Sequence, residues 1–309
     1  MTPDRPGVLA AIGNTPVVRL TRLVESGMAE VWVKLESFNP TGSYKDRMGL
    51  AMIEGAERSG RLQPGQPVVE YTGGSTGSSL ALVCSIKGYP LHIVSSDAFT
   101  PEKIRTMRAF GADVELLPSP EGITPTLIPR MRARAAELAA ELGAYQTDQF
   151  NNTDMTHGYE AIGQELLEQL HDRIDTIAMY VGTAGAFLGT TRALRRRLPS
   201  LHRVAVEPAE SAVLSGNPPG THRIEGGGVG FVPPQLSFDE IDEVIGVSTE
   251  TAYETARHAA RTEGVWSGPS TGASIRAALI LARRLGPGAR VVTVQVDSGM
   301  KYLSGELYS

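Results

Sequence analysis

The sequence predicts an α/β protein with two domains, and three observations lead to this conclusion. Short segments with the composition of β-strands alternate with longer amphipathic segments that have the spacing of α-helices. Several of the strand segments are almost continuously apolar, which is typical of strands that helices cover on both faces. The chain has 309 residues, which is more than one small domain needs and enough for two.

The predicted elements follow one another in alternation along most of the chain. Strands are predicted at 30–36, 67–72, 91–96, 113–118, 176–182, 203–208 and 290–296. Helices are predicted at 46–59, 76–87, 101–110, 125–142, 156–170, 186–197, 249–263 and 271–284.

Composition excludes several classes of function. Lys and Arg number 29 against 34 Asp and Glu, so the net charge is −5 and no basic surface for nucleic acid is expected. No apolar run reaches the roughly 20 residues of a membrane-spanning helix, and the N-terminal segment lacks the pattern of a secretory signal. We therefore expect a cytoplasmic protein without nucleic-acid or membrane partners.

Cysteine and histidine usage argues against a disulfide framework and against a metal site. Cys84 is the single cysteine, and its apolar surroundings predict a buried thiol. The six histidines show no spacing typical of metal ligands. No metal is therefore predicted.

Four turns rich in Gly, Ser and Thr each open a predicted helix. Such turns expose backbone N–H groups and hydroxyls at the positive end of a helix dipole, where phosphate and carboxylate groups bind. One turn of this kind is common in α/β proteins, whereas four indicate a ligand with several anionic or polar groups. Their sequences are TGSYKDR, YTGGSTGSS, VGTAGAFLG and SGPSTGAS.

Lys45 stands in the first of these turns, where a helix is predicted to begin. A cation is electrostatically disfavoured at the start of a helix, unless its charge is shared with a ligand. Lysine amines form Schiff bases, and burial makes them nucleophilic. Lys45 is thus a candidate for covalent binding of a cofactor, and an ordinary solvated lysine is the alternative.

Three further segments are candidates for ligand binding. Segment 181–189 has neither the G-x-G-x-x-G spacing of a dinucleotide site nor a P-loop ending, which leaves a cradle for one phosphate group. Segment 70–79 presents N–H and O–H donors that fit a carboxylate, although both segments also read as ordinary turns with a helix cap. Segment 223–235 contains three adjacent glycines, which allow close approach to a flat ligand or make a flexible loop.

These segments together resemble one family in its order and approximate spacing over nearly the whole chain. The family is the cysteine synthase (O-acetylserine sulfhydrylase) and cystathionine β-synthase group of fold-type II pyridoxal-phosphate enzymes. The motifs that carry the resemblance are IGNTPVVRL, SFNPTGSYKDR, FGADVELL, QFNN, VGTAGA, HRIEGGGVGFVPPQL, EGVWSGPSTGAS and VDSGMKYLS.

The resemblance implies a specific architecture. It implies two three-layer α/β domains of the tryptophan synthase β-like type, with pyridoxal 5'-phosphate in the cleft between them. Residues 40–145 would form the smaller, mobile domain with Lys45 and the carboxylate loop, and 1–39 plus 146–309 the larger domain that binds the cofactor phosphate. It also implies a homodimer. An association with a serine acetyltransferase is compatible with the resemblance, but no residue indicates it.

The resemblance also implies a role for individual residues. Lys45 matches the Schiff-base lysine, and Ser270 matches the hydroxyl that faces the pyridine nitrogen. The phosphate loop corresponds to Gly182, Thr183, Ala184, Gly185 and Ala186, with Ala186 where Thr is usual. The loop that grips the substrate carboxylate corresponds to Thr72, Gly73, Gly74, Ser75 and Thr76, assisted by Gln149, while Gly227 and Gly228 lie in the glycine segment beside the substrate.

The activity implied is β-replacement, in which L-cysteine forms from O-acetyl-L-serine, or a similarly activated serine, and sulfide through an aminoacrylate intermediate. The carboxylate loop usually reads T-S-G-N-T, and here Ser75 replaces the Asn that normally binds both substrate and cofactor. Serine is shorter, so we expect it to reach only one of them or to act through a water. Two alternatives therefore stay open: an L-cysteine desulfhydrase that releases sulfide and pyruvate, and a synthase specialised for another β-substituted alanine.

Overall fold

The structure is a computed structural model that describes residues 7–122, 124 and 126–309. It confirms the predicted α/β fold, with two sheets among the described residues. The strands are β1 Val17–Arg19, β2 Glu30–Leu35, β3 Val68–Tyr71, β4 Leu91–Ser96, β5 Asp113–Leu117, β6 Tyr145–Gln146, β7 Thr176–Tyr180, β8 His202–Pro208, β9 Glu243–Val247 and β10 Arg290–Gln295. The helices are α1 Lys45–Arg58, α2 Ser75–Lys87, α3 Pro101–Ala109, α4 Leu127–Leu142, α5 Asp154–Leu170, α6 Gly185–Arg197, α7 Thr249–Glu263 and α8 Pro269–Leu285.

The chain divides into two compact units. Unit 1 comprises the described part of Met1–Ile12, then Asn39–Gly158 and Ser304–Glu306. Unit 2 comprises Gly13–Phe38, Tyr159–Leu303 and Leu307–Ser309. Unit 1 extends past the predicted limit of 145 because β6 pairs in parallel with β3 and the turn after β6 is hydrogen-bonded to β3. That this unit moves as a domain stays a prediction.

Unit 1 is built on a four-stranded parallel sheet in the order β5-β4-β3-β6. The four residues of β3 are all buried, as expected for a central strand covered on both faces. The chain proceeds from β3 to β4 and β5 on one side, whereas β6 lies on the other side. The order therefore reverses between β3 and β6, and ligands of open α/β sheets bind at the carboxyl ends of strands at such a switch point.

Unit 2 is built on a six-stranded sheet in the order β1-β2-β10-β7-β8-β9, in which only the β1–β2 pair is antiparallel. Its core joins apolar side chains of the central strands to those of α8, including Val204, Val291 and Ala278. A hydroxyl strengthens the packing of α8 on β7, since Ser274 Oγ accepts a 3.0 Å hydrogen bond from the Tyr180 N–H. The carboxyl end of β7 is thereby fixed.

Most predicted helix boundaries lie within two residues of the observed ones. The helix predicted at 125–142 begins at Leu127, and residue 125 lies outside the described residues, as do the first six residues of the predicted segment 1–39. The sequence analysis missed β1, β6 and β9, which are edge strands of two to five residues.

Two further expectations concern the single thiol and membranes. Cys84 is buried in α2, as predicted, and desolvation raises the pKa of its thiol to about 12. Among the described residues, no helix has the length and apolar character needed to cross a membrane.

Candidate active site

Lys45 is the first residue of α1 and is almost completely buried. Its Nζ lies 5.0 Å from the centre of the Tyr44 ring, and its backbone N–H donates to Ser43 Oγ at 3.2 Å. Burial at the positive end of a helix is costly for an ammonium group. This environment therefore suits a lysine that bonds to a ligand better than it suits a surface lysine.

The carboxylate of Asp46 fixes the chain on both sides of Lys45. It accepts hydrogen bonds from the backbone N–H of Thr41 at 2.7 Å and from Ser79 Oγ at 2.6 Å. The Thr41 hydroxyl also donates to it. Asp46 thus ties the turn before α1 to the middle of α2, whose N-terminus carries the predicted carboxylate loop.

The predicted carboxylate loop follows β3 and leads into α2, and Gln149 follows β6. The structure brings them together at the switch point, where Thr76 Oγ1 donates to Gln149 Oε1 at 2.8 Å. The Gln149 amide N–H donates in turn to the Tyr71 carbonyl at 3.2 Å. Thr72 Oγ1 accepts from the Gly74 N–H at 3.1 Å. N–H and O–H donors therefore converge at the start of α2, which is favourable for a carboxylate.

Two residues of α3 and the turn before it pack against the glycines of this loop. The Phe99 ring lies beside Gly73, and the aliphatic part of the buried Lys103 side chain lies beside Gly74. A Cβ atom at either glycine would collide with them. A side chain at either position would therefore require Phe99 or Lys103 to move aside. Lys103 also places a basic residue next to the loop.

Glu70 lies under the same loop, in the middle of β3, and is fully buried. Its carboxylate accepts hydrogen bonds from Thr147 Oγ1 at 2.5 Å, from the Tyr71 N–H at 2.8 Å and from the Gln149 N–H at 3.1 Å. Desolvation raises the pKa of Glu70 to about 7, against the opposing effect of these donors. The sequence analysis did not single out Glu70.

The predicted phosphate loop follows β7 in unit 2 and opens α6. Ala184 adopts the left-handed conformation, with φ of 70°, which is uncommon for a residue other than Gly, Asn or Asp. Gly185 then begins α6, so the N–H groups of the first turn point out of the helix end. A left-handed residue followed by such N–H groups forms a concave site for an anion.

The glycine segment packs directly on this loop. The Gly228 N–H donates to the Val181 carbonyl at 3.2 Å. A Cβ at Gly182 would come within 2.5 Å of the Gly226 carbonyl oxygen, and one at Gly227 would collide with the Val181 oxygen. The two segments can approach this closely only because both are glycine-rich.

Ser270 lies beside the glycine segment, in the first turn of α8. A Cβ at Gly226 would be 3.6 Å from Ser270 Oγ, so the hydroxyl is close to that backbone. Ser270 is 1% exposed, and its Oγ has no hydrogen-bond partner among the described residues. Buried hydroxyls are rarely left unsatisfied, so this atom is available to a bound ligand.

Within unit 1, the structure thus brings together α1 with Lys45, the loop 72–76 and Gln149. Within unit 2, it brings together the loop 182–186, the glycine segment and Ser270. A family model described as pyridoxal-phosphate dependent enzyme matches residues 8–297. The chain belongs to this family of pyridoxal-phosphate-dependent enzymes.

Known proteins resemble this family member over almost its whole length. A cysteine synthase of Staphylococcus aureus is 42% identical over 300 residues, which cover 96% of this chain and 95% of the relative. Among solved structures, O-acetylserine sulfhydrylase isoform 3 of Entamoeba histolytica has a TM-score of 0.92 at 35% identity, over 98% of this chain and 91% of that one.

Two other solved structures carry different functional descriptions. An O-ureido-L-serine synthase has a TM-score of 0.93 at 33% identity, over 99% of this chain and 96% of that one. A hydrogen sulfide-producing enzyme of Fusobacterium nucleatum has a TM-score of 0.90 at 34% identity, over 97% of this chain and 100% of that one. The same fold therefore carries more than one chemistry among its relatives.

The residues of unit 2 fit pyridoxal phosphate. The left-handed Ala184 and the start of α6 form a cradle for a phosphate group, and the unpartnered Ser270 hydroxyl suits a ring nitrogen. The two features thus match two different groups of the cofactor.

Glu70 and Asp46 are two polar residues near the site that were not among the predicted site residues. A carboxylate in the almost wholly apolar segment PVVEYT was a usable signal, because a charge in a strand buried on both faces needs fixed donors. No comparable signal marks Phe99 or Lys103, which reach the loop through the packing of α3 on α2.

Proposed function

We propose that this protein forms L-cysteine from O-acetyl-L-serine, or a similarly activated serine, and sulfide by pyridoxal-phosphate-dependent β-replacement. The observation that carries the proposal is the 42% identity to a cysteine synthase over 96% of the chain. The polar groups of the loops 72–76 and 182–186 supply donors for a carboxylate and for a phosphate, and such a reaction requires both.

Unit 2 is proposed to hold the cofactor. The backbone N–H groups of Gly182, Thr183, Ala184, Gly185 and Ala186 would bind its phosphate, and Ser270 Oγ would hydrogen-bond its ring nitrogen. When bound, the cofactor supplies an acceptor for the electrons released when the substrate loses its α-proton. A neutral hydroxyl at Ser270 does not favour a protonated ring nitrogen as a carboxylate would, and this suits β-elimination better than transamination.

Lys45 is proposed as the catalytic residue of unit 1. At rest its Nζ would bind the cofactor covalently, and after displacement by the substrate amine Nζ would take the α-proton as a general base. The side chain is almost completely buried, which keeps bulk water away from Nζ. The hydrogen bonds of Asp46 keep the start of α1 fixed during both events.

The loop 72–76 and Gln149 are proposed to bind the substrate carboxylate. The donors at the start of α2 match both the charge and the two oxygens of a carboxylate. Ser75 would hydrogen-bond either the substrate or the cofactor, and Gly227 and Gly228 would lie beside the bound amino acid. The cleft between the domains, closed by movement of the smaller domain, stays our prediction for where these groups meet.

The test is incubation of the purified holoenzyme with O-acetyl-L-serine and sulfide. We expect L-cysteine and acetate in equal amounts, detected by chromatography. Offering O-phosphoserine, serine and homocysteine in the same assay ranks the substrates. If no cysteine forms from sulfide with serine or with either O-substituted serine, the proposal is refuted.

A cysteine desulfhydrase is the second candidate, and Ser75 favours it. Serine replaces the longer Asn of cysteine synthases, which weakens the hold on one of the two partners, and the hydrogen sulfide-producing relative shares the fold over 97% of this chain. Release of sulfide and pyruvate from L-cysteine, at a higher kcat/KM than cysteine synthesis, would establish it. A specialised synthase would instead react fastest with another nucleophile, as the O-ureido-L-serine synthase likeness suggests.

The assembly and location of the protein are proposed from the resemblance. We propose a cytoplasmic homodimer with small-molecule substrates. Sedimentation equilibrium tests the dimer, since a 33.0 kDa chain would run at twice that mass. Association with a serine acetyltransferase has no residue in its support and is tested by co-purification.

A further inference from the structure

Glu70 is a buried carboxylate for which the proposed reaction has no use, and its contacts lead to the substrate loop. We propose that ionised Glu70 is a positioning residue that holds Gln149 in the orientation needed to bind the substrate carboxylate. This inference rests on the proposed function, because it concerns the residues assigned there to the carboxylate. It adds a residue two positions before the loop, on the strand beneath it.

The turn after β6 is bound to the carboxylate of Glu70. The Thr147 hydroxyl and the Gln149 N–H both donate to the same carboxylate oxygen of Glu70, at 2.5 and 3.1 Å. Asp148, between them, has a φ of 46°, a left-handed conformation that Asp tolerates better than most residues. Glu70 therefore binds the turn on both sides of its left-handed residue.

The Gln149 side chain is hydrogen-bonded at both ends of its amide. Its amide oxygen accepts from Thr76 Oγ1 and its amide N–H donates to the Tyr71 carbonyl. Both contacts require that the Gln149 backbone stays where Glu70 binds it. Release of the turn would move Gln149 and free Thr76, and both belong to the proposed carboxylate grip.

The charge of Glu70 is bound by donors on both oxygens. Both carboxylate oxygens already face donors, the Tyr71 N–H on one and the Thr147 and Gln149 groups on the other. An added proton would remove the negative charge that these three donors bind and so weaken their hydrogen bonds. Protonation of Glu70 thus opposes the hydrogen bonds that hold the turn.

The surroundings place this protonation near neutral pH. Desolvation raises the pKa of Glu70 to about 7, and the nearby carboxylate of Asp148 raises it further while Thr147 lowers it. The phenols of Tyr71 and Tyr145 interact electrostatically with Glu70, and burial raises the pKa of both, so they stay neutral. On β4 the residue in register with Glu70 is the apolar Ile93.

The test compares wild-type holoenzyme with Glu70→Gln. L-alanine, which has no β-leaving group, serves as the binding probe, and its Kd is measured from the change in cofactor absorbance without sulfide. For Glu70→Gln we expect a rise of about tenfold in the Kd for L-alanine and in KM for O-acetyl-L-serine. The kcat is expected to stay within about threefold, because substrate and transition state lose the same contact.

The pH profile separates positioning from general destabilisation. In the wild type, the Kd for L-alanine is expected to rise as the pH falls from 8 to 6, with a midpoint near the pKa of Glu70. In Glu70→Gln the transition near the pKa of Glu70 is expected to vanish, which leaves only the dependence due to protonation of the L-alanine amine. Thr147→Val, which removes a donor to the charged form, would move the midpoint to higher pH, whereas Thr147→Ser would restore it. These two variants also decide the matter if Glu70→Gln does not fold.

The matched control is Glu115→Gln, on β5 of the same sheet, where the carboxylate pairs with Arg134 at the surface. It is expected to leave the Kd and its pH profile unchanged. Wild-type affinity and pH dependence in Glu70→Gln would overturn the inference, even if cysteine is formed. A wild type that binds L-alanine with the expected profile but forms no cysteine overturns the proposed function alone, and one that binds no amino acid overturns both.

Discussion

The aromatic ring of Phe99 occupies the space beside Gly73 in which a larger side chain would have to lie. Cysteine synthases usually carry Ser at this position of the loop. The loop and the segment before α3 are therefore matched to each other in this chain. The exchange of Ser for Gly is linked to a contact within unit 1 and changes the floor of the proposed carboxylate site.

This match is tested by Gly73→Ser. The added atoms would push the Phe99 ring away, and we expect the free energy of unfolding to fall by about 1–3 kcal/mol, with weaker amino-acid binding. Phe99→Ala combined with Gly73→Ser is expected to recover part of both losses, since the two residues are in contact. Gly246→Ser is the control, because a Cβ at Gly246 meets only ordinary contacts. Strictly additive effects in the double variant would contradict the proposed match.

Lys45→Ala is expected to abolish covalent binding of the cofactor. Loss of a general base alone lowers activity by about 10²–10⁴-fold, and loss of the covalent link adds to this. Borohydride reduction followed by mass spectrometry of peptides measures the link directly: the cofactor mass is expected on the peptide containing Lys45. Lys87→Ala, at a surface ion pair with Glu57, serves as the control. Cofactor found on another lysine would refute the assignment.

Ser270 and Ser274, both in α8, have buried hydroxyls with opposite expected behaviour. Ser270→Ala removes a hydroxyl without a partner, so the free energy of unfolding of the cofactor-free protein is expected to change by less than about 0.5 kcal/mol. Ser274→Ala removes the hydroxyl that accepts from the buried Tyr180 N–H and is expected to cost about 1–3 kcal/mol.

Bound cofactor is expected to make the Ser270 hydroxyl important for stability. A group that binds only the folded state stabilises it in proportion to its affinity, so Ser270→Ala is expected to reduce the rise in Tm that the cofactor produces. Thermal unfolding with and without pyridoxal phosphate measures both terms. An equal loss in the cofactor-free Ser270→Ala and Ser274→Ala proteins would argue against a hydroxyl that awaits a ligand.

Glu70 also predicts how stability depends on pH. Its pKa is about 7 in the folded state against 4.5 as the ordinary value, so between these pH values the folded state binds more protons than the unfolded one. The free energy of unfolding is therefore expected to fall as the pH rises through this window, by on the order of 3 kcal/mol in total. Glu70→Gln would lack this decrease. Urea unfolding at pH 4.5, 6 and 8 measures this free energy. An equal change with pH in the wild type and in Glu70→Gln would contradict the prediction.

The sequence predicted long elements well and short ones poorly. Helices such as α7 and α8 carry a periodic apolar face and are followed directly by Gly264 and Gly286, so their limits could be predicted. β6 has only two residues, and nothing in Tyr145 and Gln146 indicates a strand; it exists because β3 offers a parallel partner. Short edge strands are determined by their neighbours, which the local sequence does not contain.

The candidate site divides in the same way. The turns that open α2 and α6 were predicted because Gly, Ser and Thr are required for their backbone and their donors. Glu70 was not singled out, although a carboxylate in the apolar segment PVVEYT was a usable signal. The direction of its side chain had no such signal, because β3 is buried on both faces and its burial pattern does not alternate. The contact of Phe99 with Gly73 depends on the packing of two helices and has no local signal.

The left-handed conformation of Ala184 has a consequence for how the apoenzyme acquires its cofactor. The free-energy cost of this alanine conformation is met when the chain folds. The cradle therefore has its final shape before any phosphate binds. Capture of the cofactor then needs little rearrangement at this end, and inorganic phosphate is expected to compete with it from the start of reconstitution. Ala184→Gly would make the backbone of the cradle more flexible. We expect the apoenzyme of this variant to bind pyridoxal phosphate more slowly at equal cofactor concentration.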